Sequence, residues 1–229
     1  MRRWGAVITV FYALILVALL VPSGLLLVGD YSSAAAFHQG LKEAYAFWGT
    51  WIAVGILVCG QALLLFLRVD TSFRRLKPRA HILVSTATTA FFLGLLTLTA
   101  GFSVLVGFKG DKGIDLVDHL PTGAASLLIA WALLWVVWGI AFYRFSCESS
   151  DPITRAVSWL LRGSVLELLI AVPAHIIVRR RHDCSAPVVT SFGITSGIAI
   201  MLLVFGPSVL LLYKKRMDEY STRTVTKKS

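Results

Sequence analysis

Six apolar runs, each long enough to cross a bilayer as a helix, occupy most of this chain: residues 5–29, 45–67, 80–107, 122–143, 153–178 and 188–213. A membrane-crossing helix needs about 20 apolar residues, because the hydrocarbon core is about 30 Å thick and a helix rises about 1.5 Å per residue. Backbone N–H and C=O groups find no water there, so only helices and closed barrels span it. None of the runs alternates as a barrel strand would. The expected fold is all-α: one polytopic bundle of six transmembrane helices over residues 1–213, with a basic tail at 214–229.

Composition excludes the soluble alternative. The chain is 57% hydrophobic and 15% charged, whereas soluble domains hold about 45–50% apolar and about 25% charged residues. Arg2 and Arg3 before the first run imitate a signal peptide. That run is about twice the 7–15 apolar residues of a signal core, so it reads as an uncleaved first span.

Lys and Arg set the orientation. With six spans and a cytoplasmic N-terminus, 15 basic residues fall on the inner side and 6 on the outer, Arg162 lying within the fifth run. This split obeys the positive-inside bias and puts both termini in the cytoplasm. The net charge of +10 thus follows from topology, and no basic stripe interleaved with aromatics points to nucleic acid. Arg179, Arg180 and Arg181 are the local violation. If the fifth run were instead a re-entrant hairpin bent at Pro173, the triplet would return to the inner side, but the split would weaken to 12 against 9.

The fifth run carries the chemistry. Charged groups within a span are costly, about 2.5–3.5 kcal/mol each on insertion scales, and usually face a protein interior or a wet cavity. Arg162 lies near the cytoplasmic end and is expected to snorkel. Glu167 is too deep to do so, which makes it a candidate proton carrier, cation ligand or general acid/base. Its structural alternative is a carboxyl bonded to Arg162 or to the threonines of the third run. His175, eight residues on, falls within about 80° of Glu167 on a helix, so both can face one cavity.

At the outer end, Arg179, Arg180, Arg181 and His182 form a candidate anion site, since arginine suits bidentate oxyanion contacts. The plainer account is neutralisation by Asp30, Glu43, Asp111, Asp115, Asp118 and Asp183, which balance the six outer basic residues. His119, His182, Asp183 and Cys184 are weak metal candidates, because their chemistry suits zinc, copper or iron while no HxxxH, HExxH or CxxC spacing supports them.

Other motifs point to packing. Gly193 and Gly197 form a GxxxG, expected to serve close approach inside the bundle rather than dimerisation. Trp131, Trp135 and Trp138 share one helical stripe, a packing or lipid-facing surface sooner than a ligand wall. The tail is expected to be mobile or to rest on anionic headgroups.

No nucleotide loop, hydrolase elbow or paired haem histidines occur, and no cofactor is indicated. Three functions remain. The first is a non-catalytic accessory or assembly protein of the cell membrane, contacting the bilayer and a membrane-protein partner or another copy of itself. The second is a small-solute or ion transporter with Glu167 and His175 on its path. The third is an embedded enzyme acting on an anionic lipid-linked substrate, with Glu167 and His175 as catalytic candidates.

Overall fold

A computed structural model describes residues 2–29, 31, 33–71, 79–118, 123–147 and 152–226. The described residues are helical throughout, without strands, and six of the helices are long and apolar enough to cross a membrane. The helices are α1 (Arg2–Ile15), α2 (Val21–Val28), α3 (Ala34–Ala46), α4 (Trp48–Thr71), α5 (Arg79–Lys109), α6 (Asp111–Asp118), α7 (Gly123–Cys147), α8 (Pro152–Arg180) and α9 (Ala186–Thr226).

The first span is α1 and α2 joined by a π-turn at Leu16–Leu20. Proline supplies no N–H and would clash with the preceding turn of an α-helix; a π-turn just before Pro22 accommodates it. In this turn the Val21 N–H donates to the Leu16 carbonyl, not to that of Val17. The π partner of Val17 would be Pro22, which has no N–H. The orphaned Val17 carbonyl accepts instead from the Tyr45 hydroxyl, 2.5 Å away at the end of α3. A proline in one span thus specifies a clasp from the following helix.

Neighbouring contacts fix the direction of each span. Tyr12 of α1 donates its hydroxyl to the Ala199 carbonyl of α9 at 2.8 Å, and Gly24 lies beside Thr195, so α1–α2 runs antiparallel to α9. Gly94 of α5 meets the Trp135 backbone of α7 and Ala90 faces Gly139, another antiparallel pair. Gly163 and Ala174 of α8 meet Leu93 and Gly107 of α5 respectively, so those two helices are parallel. Ile8 and Gln61 both lie beside Gly206, which brings the start of the first span and the end of the sixth to one end of the bundle.

Helices α5, α8 and α9 form the centre. Half of the sixth span's apolar window is buried, against 6% of the fourth's. Phe92, Leu93, Leu96, Leu160, Ile200 and Leu203 fill the half of the core nearer the termini. The other half holds a smaller apolar cluster of Val106, Val178 and Ala186 beside the buried polar groups of α8 and α9.

Of two features at the ends of the bundle's later helices, the first follows expectation and the second departs from it. The fifth run is one continuous helix through Pro173, not a re-entrant hairpin. Proline is tolerated within a span where neighbouring groups and local adjustment satisfy the freed backbone. The helix of the sixth run does not end at residue 213: α9 continues to Thr226, 41 residues in all. At about 1.5 Å per residue this is about 60 Å, twice the hydrocarbon thickness. Residues 214–219 are Lys, Lys, Arg, Met, Asp and Glu, mostly good helix formers with no glycine to stop them. The basic tail is therefore helical.

Candidate functional site

Glu167 lies midway along α8 and is 1% exposed. Its carboxylate points at the glycine face of α9. A Cβ placed on Gly193 would stand 2.9 Å from Glu167 Oε1 and 2.8 Å from the Ser103 hydroxyl of α5. One on Gly197 would stand 3.2 Å from Glu167 Cγ. Gly193 and Gly197 therefore serve packing inside the bundle, admitting a carboxyl and a hydroxyl from two neighbouring helices.

Among the described residues neither carboxylate oxygen of Glu167 meets a hydrogen-bond partner, and neither does the buried Ser103 hydroxyl. Thr99 lies beside the carboxyl, but its hydroxyl donates to the Leu95 and Leu96 carbonyls of its own helix at 3.0 and 3.1 Å. Buried polar groups are satisfied in the large majority of cases, so an unmatched carboxyl and hydroxyl side by side call for an explanation. Arg162 is exposed and on a different face, and the residues that approach Glu167 are Thr99 and Ser103 rather than the threonines nearer the start of α5.

His175 follows two turns later, buried against the same helix α9. Its Nδ1 is 2.8 Å from the Thr190 hydroxyl. That hydroxyl also lies 3.2 Å from the Ala186 and Pro187 carbonyls. With Nδ1 protonated the ring donates to the Thr190 oxygen, and in the other tautomer Nδ1 accepts from the Thr190 hydroxyl. Glu167 and His175 thus share one polar seam between α8 and α9, as their spacing predicts.

The arginine triplet is divided. Arg179 is half-buried and Arg180 exposed. Arg181 turns onto the end of α5, donating from Nη1 to the Gly107 and Phe108 carbonyls at 3.1 and 3.3 Å. The last carbonyls of a helix have no partner within it, and a cation there also complements the helix dipole. Helix α8 itself ends in a Schellman motif: the Asp183 N–H reaches the Val178 carbonyl, the His182 N–H reaches that of Arg179, and His182 sits at φ 58°.

The reciprocal cap comes from Asp111. Its carboxylate accepts from the backbone N–H groups of Cys184, Ser185 and Ala186 at 2.9, 3.0 and 3.0 Å, covering the start of α9. The Cys184 N–H, with those of Ala186 and Ser185, holds the Asp111 carboxyl below its ordinary pKa. Asp183 lies over Gly110, whose φ of +62° and contact with the Asp183 carboxylate both exclude a side chain. One junction therefore ties the end of α5 to the turn between α8 and α9.

Among the described residues no three His, Cys, Asp or Glu side chains converge as metal ligands would. His182 and Cys184 are exposed and Asp183 half-buried, while His119 lies outside the described residues. The tryptophan stripe packs on α5: Trp131 and Trp135 stack together and both meet Phe91 edge-on, while Trp135 and Trp138 donate to the Ala87 carbonyl and the Thr97 hydroxyl at 3.0 Å each.

Sequence patterns alone missed Ser103 and Thr190, and the capping roles of Arg181 and Asp111. Counting from the helix starts would not have found Ser103, because it sets Glu167 level with Gly94 of α5. Comparison of the chain with protein-family models, curated proteins and solved structures yields no match.

Proposed function

We propose that this chain is a non-catalytic accessory or assembly protein of the cell membrane, with both termini cytoplasmic and its surface shared between lipid and a membrane-protein partner or a second copy. The observation that supports this reading best is the closeness of the seam. Glu167 and Ser103 press against Gly193 with no space even for a methyl group, His175 is engaged with Thr190, and Arg181 and Asp111 are engaged with helix ends. Residues suited to chemistry are used here to lock three helices. The 15-to-6 division of basic residues supports the orientation.

Native mass spectrometry of the protein extracted from its own membrane tests the assembly role. A stoichiometric complex or a homo-oligomer is expected, and an isolated monomer would count against it.

Ion or small-solute transport is the second reading, favoured by one observation: the unmatched oxygens of Glu167 beside the unmatched Ser103 hydroxyl. An intramembrane carboxyl is a functional candidate by default. Proteoliposome flux that Glu167→Gln abolishes, with the fold intact, would replace the assembly role by transport. The anion site at Arg179, Arg180, Arg181 and His182 now rests chiefly on exposed Arg180 and His182.

A further inference from the structure

A cleft of about 490 Å³ opens sideways between α5 and α7, at the end of the bundle that holds both termini. Its volume lies within the range of about 300–1,000 Å³ usual for small-molecule sites. Buried Thr86 with Ala87 and Gly139 forms the floor, and exposed Leu83 and Ile140 form the walls. Trp135 closes the deep end, its indole N–H bonded to the Ala87 carbonyl. Arg144, exposed and the last residue of the fourth span, stands at the other end.

The cleft has the dimensions and polarity of one leaflet. Nine residues of helix separate Trp135 from Arg144, a rise of about 13 Å. Half of a hydrocarbon core is about 15 Å. An apolar slot of that depth, ending in a guanidinium at the level where a span leaves the hydrocarbon, matches an acyl chain below a phosphate. Arginine pairs with phosphate through a planar fork of donors. The topology expected from the sequence assigns 15 of the 22 basic residues to this side of the membrane, a field that concentrates anionic lipid.

We propose that this cleft is a binding site for one anionic phospholipid, with an acyl chain along Ala87 and Gly139 and the phosphate on Arg144. The site is independent of the Glu167 seam, which lies between other faces of the bundle.

Reconstitution into nanodiscs containing equal phosphatidylglycerol and phosphatidylcholine, followed by native mass spectrometry, tests it. Wild-type protein is expected to retain one phosphatidylglycerol in preference to phosphatidylcholine. Arg144→Gln is expected to reduce that preference about fivefold, the factor one basic residue near an anionic surface is worth. Gly139→Leu is expected to remove retention of both lipids by filling the floor. A Cβ there meets only the Ala90 methyl at 3.9 Å, so that helix contact tolerates a side chain. Equal retention of the two lipids by wild type, or a preference unchanged in Arg144→Gln, would overturn the proposal. So would lipid retention unaffected by Gly139→Leu in a protein of unchanged helicity.

Discussion

Gly193→Ala tests whether the centre of this bundle is as tight as its geometry implies. The added methyl would stand 2.8 Å from the Ser103 hydroxyl, 2.9 Å from Glu167 Oε1 and 3.3 Å from the Ala171 methyl. Non-bonded carbons settle at about 3.5–4.0 Å, so these neighbours must give way. Glu167 is long but has little freedom to retreat: it is 1% exposed, and its Cγ is already 3.2 Å from where a Gly197 Cβ would be. Overpacking of this kind costs about 1–3 kcal/mol. Gly101→Ala on α5 is the matched control, because a methyl there meets nothing within 4 Å. Both changes gain the same helix propensity, up to about 1 kcal/mol, so the overpacking cost is the difference between them. Ser103→Ala removes a buried hydroxyl that has no partner and should be neutral or stabilising. Combined with Gly193→Ala it should recover part of the loss, giving a coupling of about 0.5 kcal/mol or more. Equilibrium unfolding of the purified protein in mixed micelles with increasing dodecyl sulfate gives all four values. If Gly193→Ala matches Gly101→Ala within about 0.5 kcal/mol, or if Ser103→Ala brings no relief, the seam has room beside Glu167. Transport then becomes the better account.

Two further predictions concern the ends of the bundle. Tyr45→Phe leaves the Val17 carbonyl with no partner beside a proline-shaped π-turn, and should destabilise the protein by about 1–3 kcal/mol, the cost of an unsatisfied polar group, measured in the same unfolding assay. The capping network should respond to acid. Asp111 has a lower pKa folded than unfolded, so its stabilisation is fully present above the unfolded value of about 4 and is lost as pH falls through the folded value. Thermal midpoints measured from pH 6 downward should therefore fall below about pH 4 in the wild type. Asp111→Asn should be less stable than wild type at pH 6 and should lack this part of the acid loss. An unchanged acid slope in the variant would mean that the three N–H contacts to Asp111 do not govern it.

The spans were legible in the sequence because their signal depends only on length and apolarity. The sharing of one seam by Glu167 and His175 was legible from helical spacing. What the runs could not convey was relative depth across helices. The pattern pointed to the threonines of the third run as partners for Glu167, without saying which. The structure places Thr99 and Ser103 there, because α8 is set further along α5 than their starts suggest, with Gly163 beside Leu93 and Leu96 and Ala174 beside Gly107. Tail helicity was likewise hidden. Polarity argued for a loose segment, whereas propensity lets α9 continue.

The arginine triplet shows why local charge patterns mislead at span ends. In sequence it looks like a cluster of three equivalent cations awaiting an anion. In the fold the triplet lies on the last turn of α8 and just beyond it, where successive side chains point about 100° apart. Arg181 meets the carbonyl end of α5, while Asp111, which charge counting treated as one of six neutralising acids, meets the amide end of α9. Each charge is placed against a helix end of opposite polarity. The two contacts are reciprocal: α5 and the segment after it hold α9, and the end of α8 holds α5. Arg181 thus has a local reason for its place, and no soluble anion is needed to account for it.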